Sequence, residues 1–150
     1  MMKIFSIFLE RVGVYKMSDK AKTPERSTQL AAGYDVFSSE NVVIEVGERK
    51  KISTKIQIDI PQGYVGKIES RSGLSFHHGI VVISSIIDAD YCGEIFVCVT
   101  NLGNEAYEIK LNDRVAQIIF FKVYAKKLKK MMVFEKNSTR GVGGFGSTGV

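Results

Sequence analysis

Asp88, Asp90 and Tyr91 stand together in the run I-I-D-A-D-Y, Ile86 to Tyr91. A carboxylate in such a place can orient and deprotonate a water, and a ring beside it can shape a pocket. The same Asp88 could instead close a turn by accepting from nearby backbone N–H groups. Upstream, Arg71-Ser72-Gly73 leads into S-G-L-S. A hydroxyl, free N–H groups at a helix start and a guanidinium together suit an anion. An ordinary capped turn has the same composition. Gln117 sits among the apolar Ala116, Ile118 and Ile119, so its amide must find a partner or lie exposed. Asp35, in A-G-Y-D, either caps a turn or helps to hold a hard cation. Mg²⁺ keeps several waters and takes few carboxylates, so no dense acidic cage is expected. The adjacent His77 and His78 make a poor chelating pair with no third ligand in view, which favours a surface or packing role.

The end of the chain reads RGVGGFGSTG, Arg140 to Gly149, and contains G-x-G-x-x-G. A dinucleotide-binding turn needs a preceding βαβ strand and a following helix, and neither fits here. The Gly-Lys-Ser/Thr of a phosphate loop is also absent. Glycine N–H groups can still wrap phosphates, so the segment reads as a flexible closing arm.

The elements that must position these residues are strands. From Ile52 to Ile60 the even positions are apolar or Thr and the odd ones polar, the period of a half-buried strand. Pro61-Gln62-Gly63 follows as a turn, and Tyr64 to Glu69 resumes a strand. Further strands are expected at 42–46, 80–87, 94–100, 106–111 and 115–124. Asn101 to Asn104 is expected to close a hairpin between two of them. The one plausible helix is short, 72–78. This pattern predicts an all-β sandwich, jelly roll or barrel.

Composition agrees with a single globular domain: 150 residues, 45% hydrophobic and 25% charged. The net charge of +5 suits a polyanionic ligand. The lysines at 126, 127, 129 and 130 read as a solvated edge, and no nucleic-acid motif accompanies them. Cys92 and Cys98, in a strand-like run, would lie about 20 Å apart, too far for a bond within it. Reduced thiols and an intracellular location, cytoplasmic or nuclear, follow as expectations. The start, MMKIFSIFL, is a short apolar run without a small-residue cleavage site and is expected to be an extension or a first strand. No run approaches the length of a spanning helix, so no membrane partner is expected.

Five stretches taken together carry more than any one alone: AAGYD, SRSGLS, IIDADYCGE, NDRVAQIIF and RGVGGFGSTG. In this order they resemble the five motifs of the homotrimeric dUTP diphosphatases (dUTPases), from about Val14 to Gly149. The resemblance implies a jelly-roll-like distorted β-barrel at 14–136, after an N-terminal extension at 1–13. A flexible C-terminal arm at 137–150 would close a site formed between subunits. It implies Mg²⁺-dependent hydrolysis of dUTP to dUMP and pyrophosphate, which keeps uracil out of DNA. Asp88 would activate the water that attacks the α-phosphorus, and Tyr91 would pack on deoxyribose. Ser72, Gly73 and Gln117 would meet the phosphates, Arg71 would neutralise phosphate or anchor the subunit interface, and Asp35 would hold Mg²⁺ through water. Ser85 and Ile87 would belong to the uracil side. Arg140, Ser147 and Thr148 would reach the γ-phosphate end, with Gly146 beside them and Phe145 over the base. Asp113 and Arg114 fit structural hydrogen bonds or ion pairs.

The match departs at the uracil hairpin, Val82-Ile83-Ser84-Ser85, where relatives usually carry small residues, often glycine, and Asp or Asn stands in place of Val82. Cys92 and Ser70 also replace more usual residues. The phosphate side and the presumed base are retained while the base side is altered. A second reading is therefore a dUTPase-like protein with altered or lost catalysis that acts through protein contacts. The related dCTP deaminases rank lower, because they lack such a terminal arm.

Overall fold

The computed structural model describes residues 11–133. Eleven strands and one helix follow in chain order: β1 Gly13–Lys16, β2 Tyr34–Phe37, β3 Val42–Ile44, β4 Arg49–Ser53, β5 Ile56–Asp59, β6 Tyr64–Glu69, α1 Ser72–His78, β7 Ile80–Ser84, β8 Ile86–Ile87, β9 Phe96–Asn101, β10 Tyr107–Ile109 and β11 Arg114–Lys122. The sheets run β2-β11-β6-β8, β4-β9-β7, β1-β5 and β10-β3. All named pairings are antiparallel. They wrap one core of β-branched side chains, including Val36, Ile44, Ile52, Ile68, Val97, Val99 and Ile118. Among the described residues the pairings form separate sheets around this core, not a closed hydrogen-bonded cylinder.

The alternation over 52–60 correctly marks the inward positions: Ile52, Thr54, Ile56, Ile58 and Ile60 are all buried. The run is nevertheless two strands, not one. Lys55 takes φ 54°, a left-handed conformation uncommon for a non-glycine, and breaks the ladder between β4 and β5. Thr54 stays inward because its hydroxyl donates to the Ile95 carbonyl. Ser53, on the polar side of the alternation, is also buried, within a hydrogen-bonded group described below.

The expected hairpin at Asn101 is also corrected. β9 pairs with β4 and β7, whereas β10 pairs with β3, so the connection crosses between sheets. Asn101 makes that crossing possible from full burial. Its Nδ2 donates to the carbonyls of Ile44 and Glu105, and its Oδ1 accepts from Gly103 N–H. The turn after Ile60 forms as expected, with Tyr64 N–H donating to the Pro61 carbonyl and Gly63 at φ 88°. The helix spans the expected residues and ends on Gly79, which supplies the left-handed C-cap at φ 70°. His78, at its last turn, packs on Tyr107 with ring centroids 4.7 Å apart, in keeping with a packing role.

Candidate active site

The predicted residues gather at two places. Asp35, Arg71, Ser72, Gly73 and Gln117 line one cleft of about 230 Å³. Ile87, Asp88 and Tyr91 line another of about 350 Å³, with Lys51, Glu94, Phe96 and Cys98. The two clefts share no lining residue. Ser85 falls outside both. It sits between β7 and β8, where its carbonyl accepts from Ile68 N–H at 2.7 Å. Arg140, Phe145, Gly146, Ser147 and Thr148 lie outside the described residues.

Strand register builds the first cleft. β11 runs between β2 and β6, so Gln117 stands opposite Asp35 on one side and Glu69 on the other. Its Nε2 donates to the Ser70 carbonyl at 3.2 Å, which answers the requirement for a polar partner. Gly33 leaves the space that the amide occupies: a Cβ there would come within 2.5 Å of Gln117 Oε1. Asp35 is buried and thoroughly engaged. Ser27 Oγ donates to Oδ2 at 2.6 Å and Arg71 Nε to Oδ1 at 3.1 Å, while Arg114 Nε lies 3.6 Å from Oδ2. Arg71 also donates to the Arg114 carbonyl. One carboxylate thus sets the positions of two guanidinium groups, a role for Arg114 that matches the ion-pair expectation.

α1 enters this cleft without a side-chain cap. Arg71 is the N-cap residue, and the first helical bond runs from Ser75 N–H to its carbonyl. The N–H groups of the first helical turn, Ser72 and Gly73 included, have no partner within the helix. The Ser72 hydroxyl carries no hydrogen bond among the described residues, and a Cβ on Gly73 would meet nothing within 4 Å. A polyanion approaching here meets hydroxyl, N–H and guanidinium donors. The same arrangement does not fit a metal ligated directly by Asp35, since both its oxygens are taken by donors and two guanidinium groups repel a cation. No cluster of His, Cys, Asp or Glu able to hold a metal occurs among the described residues.

The second cleft sets a loop carrying Asp88, Tyr91 and Glu94 against strand residues of β4, β8 and β9. After β8, Asp88 C=O accepts from Tyr91 N–H at 3.1 Å, so backbone atoms close the turn. The Asp88 carboxylate is exposed and takes no hydrogen bond from any described residue. It therefore does not serve as the turn's side-chain cap and is open to a water or ligand. The Tyr91 phenol donates to the Glu94 carbonyl at 3.0 Å, with its ring over Gly93. Cys92 lies in this irregular loop rather than in a strand, and its carbonyl accepts from Gln57 Nε2 at 2.7 Å. Both cysteines are free.

Glu94 carries no weight in the sequence analysis, yet it anchors the loop. Burial opposes its ionisation, but hydrogen bonds from Ser53 and Lys55 outweigh this and hold its carboxyl below the ordinary value. The altered segment Val82 to Ser85 contains an irregularity: the register of β7 against β9 shifts between Val82 and Ser84, and Ile83 projects with 48% of its surface exposed.

An all-β domain with a polyanion cleft and a separate carboxylate-and-tyrosine cleft has the parts of a nucleotide-polyphosphate enzyme. Comparison with known proteins makes the assignment. The sequence pattern of the dUTPase family matches residues 19–149. A deoxyuridine 5′-triphosphate nucleotidohydrolase of fowlpox virus is 44% identical over 95% of this chain and 99% of its own. One from Candida albicans is 42% identical over 91% of this chain and 86% of its own. The solved dUTPase of Staphylococcus bacteriophage 80alpha, with dUpNHpp, superposes with a TM-score of 0.88 at 33% identity, covering 93% of this chain and 99% of its own. The chain belongs to the dUTPase family, and it is an enzyme of that family.

Proposed function

We propose that this enzyme hydrolyses dUTP to dUMP and pyrophosphate at sites completed between subunits of a homotrimer. The observation that carries the reading is the division of the predicted residues between two clefts on one chain. Phosphate-side donors lie at the first and the open Asp88 carboxylate at the second, so assembly is the natural way to bring a full set around one nucleotide.

In this reading the triphosphate lies against Ser72, Gly73, Arg71 and Gln117, whose donors face the 230 Å³ cleft. Asp88 accepts a proton from the water that attacks the α-phosphorus. The Tyr91 ring packs on the deoxyribose face and leaves no room for a 2′-hydroxyl. Ile87 and Ser85 frame the base, through backbone at Ser85 only so far as its carbonyl is released from Ile68. Arg140, Phe145, Gly146, Ser147 and Thr148 cover the nucleotide from the C-terminal arm. Magnesium belongs to the same proposal as a counter-ion carried by the phosphate oxygens and water, with Asp35 acting through water. One relative, the phage phi11 dUTPase, is described with a structural Mg(II) ion.

Pyrophosphate release from dUTP, dCTP, dTTP and UTP tests the activity. Turnover of dUTP above the others, abolished by EDTA and restored by Mg²⁺, is expected. A folded trimer without it leaves the second reading, a family member acting through protein contacts, which the projecting Ile83 in the altered base hairpin favours. Truncation after Asn137 should keep the trimer and cut turnover strongly.

A further inference from the structure

Glu94 closes a chain of contacts that ends on the Tyr91 ring. Its side chain is only 9% exposed. Oε1 accepts from Ser53 Oγ and from Lys55 N–H at 3.1 Å, and Oε2 accepts from Lys55 Nζ at 3.2 Å. These three donors come from the end of β4 and the break after it, where Lys55 holds its left-handed φ of 54°. The backbone carbonyl of the same Glu94 accepts the Tyr91 phenol. Gly93, between them, has no side chain to hold the ring off: a Cβ there would come within 2.5 Å of Tyr91 Oη and 2.7 Å of Cζ. From the other side, Gln57 ties the Cys92 carbonyl to β5.

We propose that Glu94 is a positioning residue for sugar selectivity, acting through Tyr91. Clamped by Ser53 and Lys55, the Glu94 side chain fixes the backbone at that residue, and the carbonyl so fixed holds the phenol. The ring then stands at one angle to the cleft that Asp88 lines. A ring held at one angle excludes a 2′-hydroxyl sterically, whereas a ring free to swing yields to it. Glu94 borders the same cleft, but both its carboxylate oxygens are taken by Ser53 and Lys55, so it bears on the nucleotide through the carbonyl that holds Tyr91. This inference rests on the proposed dUTP hydrolysis and on Tyr91 as its sugar contact.

The test is a double-mutant cycle on the ratio of kcat/KM for dUTP to that for UTP, using Glu94→Ala and Tyr91→Phe in the full chain. Each single variant should lower the ratio by about tenfold, the scale of one lost hydrogen bond. The double variant should fall no further than either single one, because both act through one ring. Losses that multiply, or a folded Glu94→Ala that discriminates as well as the unchanged chain, overturn the proposal. If Glu94→Ala does not fold, Glu94→Gln carries the test, since it keeps one acceptor and sets an amide against Lys55 Nζ. Ring resonances of labelled tyrosine give a readout separate from turnover. They should shift for Tyr91 in Glu94→Gln, and unchanged resonances sink the proposal even in a chain that hydrolyses nothing. A shift in a chain inactive on dUTP would instead count against the proposed function alone.

Discussion

The two clefts are built by opposite means. The proposed phosphate side stands on the paired strands β2, β11 and β6 and on a buried carboxylate that binds two arginines and a serine. The Asp88 side stands on an exposed loop, closed by one backbone bond and tied down at Glu94 and Cys92. Asp35, Arg71 and Gln117 in the first cleft also tie neighbouring segments together, so their chemistry and their structural duty overlap. The Asp88 side chain has no hydrogen bond among the described residues, and only its backbone closes the turn. Function and stability should therefore be coupled on one side of the molecule and separable on the other.

The sharpest way to break this contrast is Asp88→Asn. Loss of the proposed base should lower kcat by about 10²–10⁴-fold. Urea unfolding should be unchanged, because no hydrogen bond is lost. A marked loss of stability would show that the loop is structural after all.

Asp35→Ala should do the reverse. It leaves two guanidinium groups near a buried, vacated position. About 2 kcal/mol of stability should be lost, below the 3–5 typical of a fully buried pair because Arg114 is nearly half exposed. Turnover should fall with it, since Arg71 loses its anchor. Unfolding in urea at fixed protein concentration, beside dUTP kinetics, checks both parts.

Gly33→Ala probes the same side more gently. The new methyl would press on Gln117 Oε1, which must move or lose its bond to Ser70. About a tenfold fall in kcat/KM with less than 1 kcal/mol of stability lost is expected, the scale of one hydrogen bond. An unchanged kcat/KM would remove Gln117 from the phosphate contacts.

How much of this could be read from the sequence depended on the distance over which each feature is made. The helix at 72–78, the turn at Pro61–Tyr64 and the inward set from Ile52 to Ile60 are local, and their periodicity or turn residues announce them. The break at Lys55 is not local. It answers to Glu94, 39 residues on, and nothing in K-I-S-T-K-I marks it. Asn101 resembles a turn residue, but its amide bonds reach Ile44, 57 residues back, and it serves a sheet crossing. The clustering of Asp35 with Arg71 likewise spans 36 residues. Motif resemblance named Asp35 and Arg71 for ligands they would touch, and could not reveal that they touch each other. Nothing in the sequence marks Glu94, because its partners Ser53 and Lys55 lie in a distant stretch with no motif of its own.

The smallest expected effect concerns pH, and it falls on the loop side. The Glu94 carboxyl is held below its ordinary value of 4.5 by Ser53 and Lys55 in spite of partial burial. The unfolded chain therefore takes up a proton at Glu94 at a higher pH than the folded chain does. Ionised Glu94 contributes its full stabilisation above about pH 4.5, and the contribution is lost as pH falls through the lower folded value. Wild type should thus lose stability on acidification over that window more steeply than Glu94→Gln, which has no proton to take up there. Glu48 is also lowered, by Lys50 first and then by the Glu45 backbone, but it is a surface group whose replacement should leave the slope nearly unchanged. Urea midpoints measured every half unit from pH 6 to pH 3 on Glu94→Gln and Glu48→Gln decide the matter. Equal slopes in wild type and Glu94→Gln would mean that the clamp on the loop is too weak to hold the ring, and the contrast between the two clefts would then be one of exposure alone.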